Sequence, residues 1–138
     1  MRKSLGIMTT LLAFIILLGC VSIKAYTSPD YVGMTYSGVK YGQFNKQTTY
    51  YTKNRGSYQS VRVNKAYPSL TNPCPDCQIA FKLAMDNGTE FSGAAAKMNQ
   101  TQSFSGNTEA RGNYKLKMMR ADFTLLDTTV TFKWNLNN

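Results

Sequence analysis

Two cysteines three positions apart, in Cys74-Pro75-Asp76-Cys77, are the residues of this sequence whose type and spacing most directly carry chemistry. CxxC is the spacing of thiol–disulfide oxidoreductases. Those proteins place the first thiol at a helix N-terminus, where the partial positive charge of the backbone favours the thiolate. Here Gln78 to Met85 alternates like a strand, and Pro73 and Pro75 bracket Cys74. The expectation is therefore a Cys74–Cys77 disulfide that shapes a turn. A redox role for the pair, and pairing with another chain, are the alternatives. So short a loop removes little unfolded-state entropy, so the bridge acts locally.

The chain has no histidine. That excludes Ser-His and Cys-His nucleophile pairs and His-ligated zinc. Three cysteines are too few for a four-thiolate site. Two carboxylate pairs, Asp86 with Glu90 and Asp122 with Asp127, flank expected turns. Paired carboxylates are the groups of glycoside cleavage, but four acids near loops arise without any function. No catalytic residue, metal site or cofactor is expected. Asn87-Gly88-Thr89 and Asn99-Gln100-Thr101 match the glycosylation acceptor pattern, a common one.

The stronger lead is a basic, aromatic stretch. From Tyr31 to Pro75 there is no acidic residue, while Lys40, Lys46, Lys53, Arg55, Arg62 and Lys65 give +6. Eight of the nine tyrosines lie between Tyr26 and Tyr67. Cations attract polyanions at long range, and tyrosine offers flat amphipathic contact area. The candidate binding residues are those six cations with Tyr36, Tyr41, Tyr50, Tyr51 and Tyr58. The bland alternative is a solvated basic face with tyrosines half in the core. From Asp76 onward seven cations meet six anions, so that part is nearly neutral.

The elements that must position these residues read mainly as strands. Ile79, Phe81, Leu83 and Met85 alternate with Ala80, Lys82 and Ala84; Val130, Phe132, Trp134 and Leu136 alternate with polar residues; so do Tyr114, Leu116 and Met118, and Val61 and Val63. Period-two alternation marks half-buried strands. Asp86-Asn87-Gly88 is a hairpin signal, with Thr89 to Ser92 as the returning strand. Ser92 to Met98 has three alanines and predicts at most one or two helical turns; Gly93 to Gly112 otherwise reads as a loop or as a polar hairpin through Ser105-Gly106-Asn107. Tyr26, Tyr31, Tyr36 and Tyr41 recur at an interval of five, so along one strand successive rings face opposite sides. Short strands separated by turns predict an all-β fold, a small antiparallel β-sandwich or barrel-like domain.

That domain is expected to span residues 26–138, after an N-terminal signal segment at 1–25. Arg2 and Lys3 precede a run from Leu5 to Leu18 broken only by Thr9 and Thr10, the secretory pattern. Ile23-Lys24-Ala25 offers one processing site. Leu17-Leu18-Gly19-Cys20 resembles a lipobox, in which Cys20 would carry lipid. Uncleaved, Leu5 to Ile23 is long enough to tether the chain. Without residues 1–25, 13 cations face 7 anions, net +6.

The functional expectation is a secreted, non-catalytic protein that engages an anionic envelope polymer or membrane surface, with an antimicrobial or toxin-like role as one version. Its rivals are a lipid-anchored accessory or immunity-type protein with a protein partner, and a redox protein using Cys74 and Cys77. An exported chain meets envelope polymers before nucleic acid, which ranks last.

Overall fold

The computed structural model describes residues 25–68, 72–91, 93, 95–106 and 108–137. The expected signal segment, and Cys20 with it, lies outside the described residues apart from Ala25.

Among the described residues ten strands form two antiparallel sheets and no helix occurs. They are β1 (Tyr31–Val39), β2 (Lys46–Gln47), β3 (Tyr51–Lys53), β4 (Ser60–Tyr67), β5 (Ile79–Met85), β6 (Glu90–Phe91), β7 (Ala95–Ala96), β8 (Thr101–Ser103), β9 (Gly112–Arg120) and β10 (Thr128–Asn135). The first sheet, A, runs β1-β10-β4-β8. The second, B, runs β2-β9-β5-β6, with β3 also on β9 and β7 also on β5. The expected all-β sandwich is the fold observed.

The alternating residues close the core as their period requires. Val130, Phe132, Trp134 and Leu136 from one sheet, and Ile79, Phe81, Leu83, Tyr114, Leu116 and Met118 from the other, are all buried in one cluster. Phe81 meets Phe132 edge to face at 5.6 Å, and Tyr51 meets Trp134 at 6.1 Å, so rings from opposite sheets interlock. Side chains that bury this fully stabilise the fold by roughly 1.5–3 kcal/mol each. Polar groups carried into this interior find partners. The Trp134 indole donates to Gln59 Oε1 at 3.0 Å, and Gln59 Nε2 donates to the Thr108 carbonyl at 3.1 Å. Asn137 Oδ1 accepts the backbone N–H groups of Asn54 and Arg55, and its Nδ2 donates to the Pro29 carbonyl.

Two local expectations change. The alanine-rich segment is strand rather than helix where it is described: Ala95 and Ala96 pair with Ala80 and Ile79 of β5, which supplies the backbone hydrogen-bond partners, and the approach is close enough that a Cβ at Gly93 would meet the Phe81 carbonyl. The polar stretch does not fold back on itself through Ser105-Gly106; β8 pairs instead with β4. The hairpin at Asp86-Asn87-Gly88 is present, closed by the Met85 N–H to the Thr89 carbonyl at 2.8 Å. Only Gly88 takes a positive φ, +89°, while Asn87 caps the turn by accepting the Thr89 N–H.

Candidate functional site

The outer face of sheet A carries the most distinctive arrangement of charge. Strand alternation turns Tyr31, Thr35 and Ser37 of β1 outward, with Thr129, Thr131 and Lys133 of β10. Hydroxyls link across the strands, Thr35 to Thr131 at 2.8 Å and Thr129 to Ser37 at 3.2 Å. Arg62 and Lys65 of β4 also face outward, although three positions apart they would point to opposite sides of a regular strand. A bulge resolves this: the β10–β4 register shifts between Thr131 and Phe132, leaving Asn64 as the extra residue. Both cations then stand on one face.

Arg62 lies directly opposite Lys133, and Lys65 opposite Thr131. Lys133 Nζ sits 4.1 Å above the Tyr31 ring, a cation–π contact that holds the charge without neutralising it. Like charges facing each other across a ladder are destabilising, and here no carboxylate compensates. Among the described residues, Arg62, Lys65 and Lys133 form no ion pair. Most of the acids are engaged elsewhere. Asp30 pairs with Arg55, Asp76 with Lys97 and Asp122 with Arg120, and Asp86 accepts from Asn113.

Sheet B shows the contrast. Lys82 and Lys117 also stand opposite each other on its outer face. There Glu90 bridges both, at 2.6 Å from Lys117 and 2.5 Å from Lys82. The hydrogen bonds from Lys117 and then Lys82 hold the Glu90 carboxyl down at about 2. One sheet neutralises its cation pair and the other leaves it open.

The residues expected to form a binding face are dispersed. Lys53 is 1% exposed; its ammonium donates to the Leu136 carbonyl at 2.8 Å and to Ser57 Oγ at 3.1 Å. Burial pushes its pKa down, against the pull of Glu109, and it belongs to the interior rather than to a surface. Arg55 is exposed but paired with Asp30 at 3.3 Å. Lys46 is half-buried beside Gly38. Lys40 is exposed just past β1. Tyr36 turns inward and stacks on Phe132, and burial raises its pKa; Tyr51 is half-buried against Trp134. Tyr41 and Tyr58 are exposed at separate places. The interval of five does alternate faces in β1, with Tyr31 out and Tyr36 in.

Three tyrosines do come together. Tyr26, Tyr36 and Tyr50 line an open groove of about 770 Å³ with Thr48 and Lys115. Lys115 Nζ lies 5.0 Å over the Tyr50 ring, and the Tyr26 and Tyr50 rings are 5.7 Å apart.

Cys74 and Cys77 are disulfide-bonded, with Cα atoms 5.3 Å apart. The Cys74 N–H donates to the Ala66 carbonyl, which docks the turn on the end of β4. A strand, β5, follows the pair. No cluster of three or more metal-ligating side chains occurs among the described residues.

Lys133 and Tyr31 belong to the cationic face although neither is among the binding residues expected from the basic, aromatic stretch. Lys133 comes from the nearly neutral C-terminal part and reaches Arg62 only through strand pairing. A local signal did exist for the bulge: the apolar positions run Val61, Val63, Ala66, a break in parity. No protein-family model matches this chain, and no curated protein is detectably similar to it.

Proposed function

We propose that this is an exported, non-catalytic protein whose sheet A outer face engages an anionic envelope polymer. The observation that carries the reading is the difference between the two sheets: Lys82 and Lys117 share Glu90, while Arg62, Lys133 and Lys65 share no carboxylate. An open cation row is costly to hold in a free protein and is relieved when a polyanion supplies the missing charge. The surrounding hydroxyls of Thr35, Thr131, Thr129 and Ser37 add neutral hydrogen-bonding capacity suited to a polymer of sugars or polyols. Asp86 is held by an amide and Asp122 by a guanidinium, and Glu90, ionised down to about pH 2, is poorly suited to donating a proton. Within this reading the Cys74–Cys77 bridge fixes the turn docked against β4.

The test is sedimentation of the purified protein with a soluble phosphodiester or uronic-acid polymer at low and high salt. Replacing Arg62, Lys65 and Lys133 together by Gln should weaken binding by about 10- to 100-fold, at up to about 1 kcal/mol per exposed contact. Replacing Lys82 and Lys117 should change it little. Screening shortens from about 10 Å at 0.1 M salt to about 3 Å at 1 M, so binding should fall steeply with salt. Equal losses from the two sets would show that net charge alone drives adsorption. Salt-insensitive binding would refute the proposal. Intact mass of the exported protein checks the processing part of the reading: a chain retaining Leu5 to Leu18 contradicts it.

A further inference from the structure

The connection between β9 and β10 exposes its apolar residues. Phe123 is 74% exposed, Leu125 90% and Leu126 57%, three large hydrophobic side chains within four positions. A single exposed Leu needs no explanation, but a contiguous apolar tip does.

The loop is held out rather than folded back. Arg120, the last residue of β9, is buried and grips both ends of the loop. Its Nη2 donates to Asp122 Oδ2 at 2.7 Å and its Nη1 to Thr128 Oγ1 at 2.9 Å. The Ala121 N–H is fixed to the Gln78 carbonyl at 2.8 Å. The tip therefore projects from a braced base.

What surrounds the tip is graded in polarity. Tyr41 packs edge-on against Phe123, with ring centroids 5.3 Å apart, and carries its hydroxyl on an amphipathic ring. Its place is set by the backbone: the Arg120 N–H donates to the Lys40 carbonyl and the Gly42 N–H to the Arg120 carbonyl. Lys40 lines the hollow beside the tip. Lys65, opposite Thr131, stands three residues along β10 from the loop's end. Neither cation is ion-paired among the described residues. Of the two acids in the loop, Asp122 is bound to Arg120, and Asp127, in no ion pair among the described residues, lines the same hollow as Lys40 and lies near the Lys46 ammonium beside Gly38.

An apolar tip, an amphipathic tyrosine packed against it and unpaired cations at the same end of the sandwich combine the polarities met at the surface of a bilayer with anionic headgroups. We infer that this end of the sandwich docks on an anionic lipid bilayer, with Phe123, Leu125 and Leu126 in the acyl boundary and Lys40 and Lys65 at the headgroups. The inference stands on the loop, and the one residue it shares with the polymer-binding face of sheet A is Lys65.

The experiment uses vesicles of phosphatidylcholine with phosphatidylglycerol. A Leu125→Trp reporter should shift its emission to the blue on binding and be quenched by lipids brominated on the acyl chain. Replacing Phe123, Leu125 and Leu126 together by Ser should weaken vesicle binding by about 100-fold or more, while leaving polymer binding unchanged. Replacing Arg62 and Lys133 should do the reverse. A serine variant that binds vesicles as well as the parent would overturn the inference, as would an unshifted reporter. A parent that dimerises through the loop in the absence of lipid, with the dimer lost in the serine variant, would overturn it in favour of a second copy.

Discussion

Replacing Arg120 by Met removes the side chain that braces the β9–β10 loop, and the structure sets the size of the effect. Three interactions with Asp122 go, from Nε at 3.1 and 3.2 Å and from Nη2 at 2.7 Å, together with the 2.9 Å bond to Thr128. Thr128 is fully buried, so its hydroxyl oxygen is left without a donor, at about 1–3 kcal/mol. Asp122 has a side chain 35% exposed and keeps the Gln78 N–H at 2.7 Å, so water and that bond replace part of the loss. We assign it about 1 kcal/mol, well below the value for a fully buried pair. The total is about 2–4 kcal/mol. With a urea slope of about 2 kcal/mol/M, the midpoint should fall by about 1–2 M. Arg120→Lys keeps the charge but not the fork and should fall between the two. A double-mutant cycle with Thr128→Val should show coupling, because the valine removes the group that the first change orphans. A midpoint within about 0.3 M of the parent, with additive behaviour in the cycle, would refute the bracing role of Arg120.

Two further outcomes follow from the core and from the surface. Trp134→Ala should cost about 3–5 kcal/mol and leave Gln59 Oε1 without the indole donor; retention of the parent's urea midpoint would contradict the burial of Trp134, whose single-tryptophan emission in the native state should also be blue-shifted. Glu90 has its folded pKa lowered from 4.5 to about 2, so its stabilisation is present above about pH 4.5 and is lost as pH falls toward 2. Glu90→Gln should flatten that part of the stability–pH profile, and an unchanged profile would refute the coupling to Lys82 and Lys117.

Much of the fold is legible because it depends on local period. The alternations at Ile79 to Met85, Tyr114 to Met118 and Val130 to Leu136 are long enough to identify both the strand and the face that it buries. The functional surface is less legible because it depends on what lies beside what. Nothing near Lys133 in sequence brings it to Arg62; the β10–β4 register does. Nothing in Tyr51-Thr52-Lys53 marks Lys53 as buried, since three residues carry no usable period and its partners are a carbonyl 83 positions away and Ser57. Leu125 and Leu126 show the opposite problem. Apolar residues are read as core by default, and only their place between two braced strand ends shows that they face outward.

β10 is the tenth element in chain order, yet it occupies the interior of sheet A, hydrogen-bonded to β1 on one side and β4 on the other. β1 and β4 do not pair with each other, so until β10 arrives each presents an open edge. Every contact that joins them spans most of the domain's length, the kind of topology that folds slowly. A chain interrupted before Thr128 therefore lacks more than one strand: it keeps two exposed strand edges, the usual templates for intermolecular pairing. Shortening this protein from its C-terminal side should thus yield aggregation in place of a smaller stable domain.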